Sequence, residues 1–369
     1  MKSRAVAAVI AAILPPAFLV LGVLRAYPFV DDVSVPAPSP DDWHTYKELA
    51  LSVVHGGLSI PALTTTYANL PHGFLYIYFV ALIFAAFGAN SAYVYVSQSF
   101  MLGLSISLMY VAVRRKLTPA NGLAFLLALI VLMYVDVFRH LTFKLLSENL
   151  YLLLCPVFLL LLFRSIDDED RRFEPLLAGV ILGMILLARP NFTLSAALVT
   201  AALCIRAARP AGNYRLPTLL LVGAAIGVSG VVLRNYAATG RVTIDIVTNT
   251  SDWLQPWKMS PAQFVNTYLP RSLFVFGWTS SMAPAYRLRP HWMIIWMVWL
   301  AYPIVTLLRR DRFELWESLL YLYVAGYIGG VLFIGKDITS YGGRMVVAIL
   351  PVALVPAFRW LSRQYDPTH

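Results

Sequence analysis

Long apolar runs recur from one end of this chain to the other, and polar stretches separate them. A run of about 20 apolar residues is what an α-helix needs to cross the hydrocarbon core of a bilayer. The pattern therefore predicts an all-α fold, a polytopic bundle of transmembrane helices. The candidate spans are residues 5–24, 73–88, 91–113, 118–137, 147–163, 176–189, 191–205, 216–233, 291–308, 315–334 and 344–360.

The polar stretches are of two kinds. Short linkers rich in arginine lie at 164–172, 206–215 and 309–312. Two long stretches, 25–72 and 234–290, carry Asp, Trp, Tyr and Pro but no dense basic cluster. Because basic residues collect in cytoplasmic loops, we predict that the short linkers are inside the cell and that both long stretches are outer loops. The N-terminus is then cytoplasmic, and the first apolar run is an uncleaved helix.

This topology conflicts with a simple count of the spans. An even number of crossings must separate two loops on the same side, yet the candidates between the two outer loops are odd in number. The short, aromatic segment 73–88, which follows Pro71-His72-Gly73, is the better candidate for a helix that enters the membrane without crossing it. The alternative is that 176–205, broken at Arg189-Pro190-Asn191, does not cross twice. Either choice leaves about ten spans.

Composition narrows the class of protein. The chain is 59% hydrophobic and 13% charged, with a net charge of +10. Its basic residues form short clusters between spans and not a single stripe, so the charge reflects membrane topology and not nucleic-acid binding. Cys155 and Cys204 both lie inside apolar runs, which predicts neither a structural disulfide nor a zinc site. The absence of an internal repeat argues against the common secondary transporters.

An acidic pair, Asp41-Asp42, opens a polar and helix-like segment just outside the first span. One interpretation is a helix N-cap, in which a carboxylate accepts hydrogen bonds from free backbone N–H groups. The other is catalytic, since a carboxylate near the bilayer surface can accept a proton from a hydroxyl or amine nucleophile. Asp31-Asp32 is a second acidic pair, and it is the alternative candidate for the functional carboxylates.

Other charged residues lie at the ends of predicted spans. Arg139, His140 and Lys144 follow the 118–137 run, where they either grip a lipid phosphate or extend to the interface from an apolar surface. Glu148 opens an apolar helix, where an acid complements the helix dipole. Arg189 lies at a helix break, which is costly inside a bundle unless the guanidinium is paired or faces water.

The order of these motifs resembles that of the GT-C superfamily of integral-membrane glycosyltransferases, in particular small bacterial members akin to protein O-mannosyltransferases and lipid A aminoarabinose transferases. The resemblance covers nearly the whole chain. The matching motifs, in family order, are Asp41-Asp42 with Tyr46 and Ala50, Leu70 to Tyr76, Phe87 to Asn90, Leu146 to Tyr151, Gly179 to Gly183 with Arg189-Pro190, Leu233 to Tyr236 with Gly240, and Gly343-Arg344.

The resemblance implies a function. Such enzymes move a sugar from a polyprenyl-phosphate donor to an acceptor at the outer membrane face, with inversion at the sugar carbon. By the Tyr46 spacing, Asp42 would be the catalytic base, with Asp41 beside it. The residues implied for the donor phosphate are Lys47, His72, Arg139, Lys144, Arg234, Lys336 and Arg344; further site candidates are Tyr46, Glu148, Arg189, Asn235 and Tyr236. A lysine often found before the Pro-rich entry in the aminoarabinose branch is replaced here, with His72 following Pro71.

The same resemblance sets the expected organisation and partners. Residues 1–233 would be the catalytic transmembrane module, 234–290 an outer loop and 291–369 the C-terminal transmembrane helices. No metal site is evident from the residues, although some members of the superfamily use a divalent ion such as Mg²⁺ or Mn²⁺. The expected partners are the lipid-linked donor, membrane lipids and a lipid, glycan or protein acceptor, in a bacterial cytoplasmic membrane with the site facing outward.

Three other functions stay open at this point. A lipid-linked saccharide flippase would line a central cavity with charges inside its spans. An O-antigen-type polymerase or ligase would use outer-loop arginines such as Arg234 and Arg271 and would not depend on an acid in the first outer loop. A membrane scaffold would have no turnover at all.

Overall fold

The computed structural model of this chain describes most of the sequence. For some helical residues, among them Asp42, Arg234, Asn235 and Arg344, only the path of the backbone is described. The described residues are 2–27, 42–56, 74–138, 141–143, 146–168, 171, 173–209, 213–239, 259–268, 278–280, 286–309, 311–334 and 338–364.

Helices account for nearly all of these residues, as the apolar runs predict. The helices before the second outer loop are α1 (Lys2–Ala26), α2 (Asp42–Gly56), α3 (Phe74–Phe87), α4 (Ser91–Val113), α5 (Pro119–Leu132), α6 (Ser147–Asp167), α7 (Phe173–Ala188), α8 (Thr193–Ala207) and α9 (Arg215–Thr239). Those after it are α10 (Pro261–Gln263), α11 (Pro290–Leu308), α12 (Leu315–Ile334), α13 (Ile338–Ala353) and α14 (Val355–Gln364).

Several shorter elements interrupt or extend this pattern. A π-helical turn, Met133–Phe138, continues α5, and a second one, Phe264–Tyr268, continues α10. A 3-10 turn, Pro190–Phe192, joins α7 to α8. Two short strands, β1 (Trp278–Ser280) and β2 (Tyr286–Leu288), pair antiparallel with Trp278 opposite Leu288, and they add a small hairpin to the second outer loop.

Seven helical segments of the described chain are long and apolar enough to cross a membrane. These are Ser3–Ala26, Ser91–Val113, Pro119–Phe138, Ser147–Asp167, Arg215–Leu233, Pro290–Leu308 and Val346–Gln364. Three shorter apolar helices are Leu75–Phe87, Phe173–Ala188 and Thr193–Ala207. Large apolar side chains such as Leu24, Leu307 and Leu308 are well over half exposed, as expected where helices face lipid and not water. The multi-pass membrane fold predicted from the sequence is therefore confirmed.

The arginine-rich linkers lie together at one end of the bundle, called here the basic end. Lys116 forms an ion pair with Asp167, and Arg359 donates a hydrogen bond of 3.0 Å to the carbonyl of Lys116. Arg359 also contacts Glu314, which lies in the linker before α12. The linkers that the sequence assigns to one side of the membrane are thus neighbours in space.

The direction of α4 shows how the first outer loop enters the bundle. A Cβ at Gly22 of α1 would lie 2.5 Å from Ser99, and one at Gly103 would lie 2.6 Å from the carbonyl oxygen of Leu14. Residue numbers therefore rise along α4 as they fall along α1, and the two helices are antiparallel. The chain leaves α1 and starts α4 at the same end, opposite the basic end.

It follows that α3 does not cross the bundle by itself. Residues 27–90 begin and end at the same end, and α2 is too polar to supply the compensating crossing. At 14 residues, α3 is about 21 Å long, which is shorter than the hydrocarbon core. This agrees with the prediction that segment 73–88 is not a span. The remaining helices then make about ten passes between the two ends.

Glycines bring α7 and α9 into backbone contact. A Cβ at Gly179 would lie 2.2 Å from the carbonyl oxygen of Leu220, and one at Gly223 would lie 2.1 Å from that of Leu176. One turn further, a Cβ at Gly183 would lie 2.6 Å from the carbonyl oxygen of Ala224. Small residues spaced four apart allow this approach, and inside a membrane it is the close packing that holds helices together. The two helices run parallel from the basic end, and α9 continues well past the end of α7.

Candidate functional site

The helix α2 carries the acidic motif to the end of the bundle opposite the basic end. It begins at Asp42, so that Asp41 occupies the position before the helix; Asp41 and the side chain of Asp42 lie outside the described residues. Tyr46, one turn into α2, is 2% exposed. Its ring meets that of Tyr76 edge to face, with centroids 4.8 Å apart. This contact fixes the start of α2 against α3.

A short chain of hydrogen bonds continues from Tyr76 into the bundle. The Tyr76 hydroxyl donates to Oε1 of Gln98 at 2.5 Å, and Nε2 of Gln98 donates to the carbonyl oxygen of Thr142 at 2.6 Å. All three groups are buried. Gln98 lies seven residues into α4, which places it about 10 Å below the end of that helix. The segment that carries α2 and α3 is thereby tied to the interior of the bundle.

Glu148 and Arg189 form a buried ion pair in the same part of the molecule. The side chains are 2% and 9% exposed, so both charges are removed from water. Asn149 donates from Nδ2 to the carbonyl oxygen of Leu141 at 3.2 Å, which holds the loop that carries Thr142 against the start of α6. Of the two environments expected for Arg189 at its helix break, pairing or exposure to water, the structure shows pairing. Glu148 does more than complement a helix dipole, because it holds that arginine.

The Glu148–Arg189 pair adjoins Tyr76, because the carboxylate of Glu148 interacts electrostatically with the Tyr76 hydroxyl. α7 packs beside α9 from the basic end with Gly183 against Gly227, and it stops at Ala188. α9 continues to Thr239, so its end lies several residues, or about 10 Å, beyond Arg189. These five buried residues therefore lie together near this end of the bundle, and we call Tyr46, Tyr76, Gln98, Glu148 and Arg189 the recess network. The end of the bundle directly above them is called the recess.

Aromatic rings pack between the ion pair and the basic end. The ring of Phe192 stacks on Tyr151 with centroids 4.1 Å apart and on Tyr327 with centroids 4.2 Å apart. The hydroxyl groups of Tyr151 and Tyr323 are 3.1 Å apart, and Ser195 donates a hydrogen bond to the carbonyl oxygen of Tyr323 at 2.8 Å. All of these rings are buried, so they form a closely packed aromatic layer next to the ion pair.

A second buried carboxylate, Asp136, was not predicted from the sequence. It lies in the π turn after α5 and is 3% exposed. Its Oδ2 is 2.7 Å from Nε2 of His291 and accepts a hydrogen bond of 3.0 Å from Nε1 of Trp292, while Arg289 lies 3.4 Å from its Oδ1. The carboxylate thus anchors the start of α11, where it also complements the helix dipole.

The remaining predicted residues are placed only in part. Lys47 is half-buried on α2, and Tyr236 is 57% exposed near the end of α9. Arg234, Asn235 and Arg344 lie on helices whose side chains at those positions are not described. His72, Arg139, His140, Lys144 and Lys336 lie outside the described residues.

The described residues show no preformed metal centre. In the part of the chain that the structure covers, no three His, Cys, Asp or Glu side chains come together as a metal ion would need. Cys155 and Cys204 are both free thiols, as their positions inside apolar runs predict.

Comparison with known proteins adds a likeness of fold. No family model matches the chain, and no curated protein matches it significantly. Two crystal structures of the Archaeoglobus fulgidus oligosaccharyltransferase are similar to it. The apo form has a TM-score of 0.46 at 14% identity, covering 95% of this chain and 51% of that one. The form tethered to an acceptor peptide containing the NVT sequon has a TM-score of 0.44 at 14% identity, covering 93% and 49%.

The chain spans about half the length of that oligosaccharyltransferase. A likeness at this TM-score and identity transfers no residue role to this chain. The function proposed next therefore rests on the residues of the chain itself.

Proposed function

We propose that this protein is a membrane glycosyltransferase that moves a sugar from a polyprenyl-phosphate donor to an acceptor at the end of the bundle opposite the basic end. One observation carries the proposal. Tyr46, Glu148 and Arg189 come from three motifs that lie far apart in the sequence, and all belong to the recess network. Residues that act in the same reaction are expected to lie close together in the folded protein. Residues that only terminate helices have no such requirement.

Asp42 is the proposed general base. It lies one helical turn before Tyr46, and the contact between Tyr46 and Tyr76 fixes that turn over the recess. The acceptor hydroxyl or amine gives its proton to the Asp42 carboxylate as it forms a bond to the anomeric carbon of the sugar. The bond from that carbon to the phosphate oxygen breaks on the opposite face, so the configuration inverts. A positioned base contributes about 10²–10⁴ in rate.

The leaving group is polyprenyl phosphate, which needs cationic donors. Arg and Lys stabilise the charge that develops on the phosphate oxygens. Two candidates follow α12 in the chain, Lys336 and Arg344, and α12 brings its Gly330 against Asn191, two residues after Arg189. We assign the phosphate contact to this pair first. The Glu148–Arg189 ion pair holds the wall of the recess in place.

The topology supports a site at the outer face of the membrane. The basic end carries the arginine-rich linkers and is therefore cytoplasmic by the positive-inside rule. The recess, at the opposite end, would then face the periplasm or cell exterior in a bacterial cytoplasmic membrane. A lipid-linked donor would reach it from the outer leaflet.

Metal use is a separate question for this proposal. Glu148, the acid that the described residues place in the recess, is already paired with Arg189. Any Mg²⁺ or Mn²⁺ would therefore be held by Asp41 and Asp42, and activity would be lost in EDTA and regained on adding the ion. Activity that is insensitive to EDTA would show that the carboxylates act without metal.

The test uses purified protein in lipid nanodiscs with radiolabelled polyprenyl-phosphate sugars. We expect release of the carrier phosphate by the unmodified protein and its loss in Asp42→Asn. Asp311→Asn is the matched control, because Asp311 is exposed in the linker at the basic end. A flippase would move the labelled lipid across a vesicle membrane without releasing carrier phosphate, and a polymerase or ligase would tolerate Asp42→Asn. Either result would overturn the proposal.

A further inference from the structure

A cavity of about 310 Å³ lies at the basic end, far from the recess network. It is formed where α6 and α8 end and where α7, α9 and α12 begin. Four arginines line it: Arg171, Arg206, Arg209 and Arg215. Nothing in the proposed glycosyl transfer uses this cavity, because it opens at the other side of the membrane.

The charges of these arginines are not all balanced. Arg171 donates a hydrogen bond to Asp168 at 2.9 Å and also pairs with Glu174, and these contacts raise the pKa of its guanidinium above the ordinary value. In the described part of the chain, the guanidinium groups of Arg206 and Arg209 make no ion pair or side-chain hydrogen bond, and both residues are exposed. The cavity therefore has a positive rim available to a ligand.

Apart from Ser165 and Asn213, the rest of the lining is apolar. Leu203 and Ala207 are buried in the wall, and Leu216 and Pro217 also line it. Next to the cavity, Phe173, Leu177 and Ile205 are 75%, 50% and 67% exposed on helices that belong to the membrane-embedded bundle. Tyr214, 57% exposed, has the character of an interfacial aromatic residue. A cationic rim thus adjoins a surface that faces acyl chains.

We propose that this cavity binds the phosphate headgroup of an anionic phospholipid from the leaflet at the basic end. A phosphodiester would lie between Arg206 and Arg209, and the first part of an acyl chain would run along the apolar surface near Ile205. Basic pockets between transmembrane helices on the cytoplasmic side are suited to such headgroups. Free phosphate offers the same charge but gains nothing from the apolar wall, so the lining favours a lipid.

The headgroup would hold five helix ends together. The loops on which the arginines lie connect α6 to α7 and α8 to α9, and α12 begins at Leu315 in the same wall. A bound phosphate is expected to reduce the mutual repulsion of the arginines, and so to stabilise the basic end. This effect is independent of the glycosyltransferase proposal.

The experiment measures lipid binding by native mass spectrometry of the purified protein, with phosphatidylglycerol and phosphatidylcholine as probes. At about fivefold per arginine near a membrane surface, the double variant Arg206→Gln with Arg209→Gln should bind phosphatidylglycerol about 30-fold more weakly. The matched control is Arg312→Gln, an exposed arginine at the same end that does not line the cavity. Melting temperatures in phosphatidylcholine alone should be the same for both variants, which checks that each is folded.

A competition experiment distinguishes a phospholipid headgroup from free inorganic phosphate as the ligand. If millimolar inorganic phosphate displaces phosphatidylglycerol only weakly, the lipid is the ligand, as proposed. If inorganic phosphate binds in the absence of lipid and depends on Arg206 and Arg209, the site takes a soluble phosphate and the lipid assignment is wrong. Equal retention of phosphatidylglycerol by the double variant and the Arg312→Gln control, or equal binding of the two lipids, would overturn the site itself.

Discussion

The buried ion pair between Glu148 and Arg189 allows a sharp test of the recess. Changing Arg189 to Met leaves the Glu148 carboxylate, 2% exposed, without its cationic partner. Breaking a buried pair in this way costs about 3–5 kcal/mol, whereas replacing both charges with apolar residues of similar volume is often neutral. We therefore expect Arg189→Met and Glu148→Met each to destabilise the protein strongly, and the double variant to be more stable than either single variant.

Thermal unfolding in a fixed detergent, combined as a double-mutant cycle, measures this coupling. The two single changes should each lower the melting temperature by several degrees, and the coupling energy should be at least about 2 kcal/mol. Arg171→Met is the comparison, because the pair of Arg171 with Asp168 is exposed and solvent-screened pairs of that kind contribute little to stability. Strictly additive effects for Glu148 and Arg189 would refute the buried pair.

Three further outcomes follow from the packing. Tyr76→Phe removes the hydroxyl that donates a hydrogen bond to the buried Oε1 of Gln98, so the free energy of unfolding should fall by about 1–3 kcal/mol. Thermal unfolding measures this loss, and no change would show that water replaces the hydroxyl. At Gly223, even a Cβ atom would lie 2.1 Å from the carbonyl oxygen of Leu176, so the Gly223→Leu side chain cannot fit and the folded yield in detergent should collapse. Gly230→Leu is the control, because a Cβ there meets nothing within 4 Å, and it should express normally. Asp136→Ala removes the anchor of α11 and should expose His291 and its neighbours to proteolysis, while equal digestion rates would contradict that anchor.

Much of the fold follows from the apolar pattern. The candidate span 216–233 lies within α9, and 73–88 coincides with α3, because an apolar run in a membrane must satisfy its backbone by forming a helix. Whether α3 crosses was not encoded in its own residues. The prediction that α3 does not cross came from the charges of other loops, and the antiparallel packing of α1 and α4 then supported it.

The partners of the polar residues could not be predicted in the same way. Gln98 meets Tyr76 across 22 residues and Thr142 across 44, and such pairings depend on helix packing and register, which hydropathy does not specify. Arg189 was expected to be paired or to face water, but nothing in the sequence selected Glu148 as its partner. Asp136 did carry a usable signal, since it is the only charged residue in the run 118–137, and an acid inside a span calls for a partner.

We propose that a carboxylate at the start of α2 takes the acceptor's proton in a glycosyl transfer at the outer face. The most direct measurement compares initial rates of carrier-phosphate release for the unmodified protein, Asp42→Asn and Asp311→Asn, each with its donor affinity measured separately. We predict that Asp42→Asn loses a factor of about 10²–10⁴ in rate with unchanged donor binding, and that Asp311→Asn keeps full activity. Full activity in Asp42→Asn would show that Asp42 is not the general base.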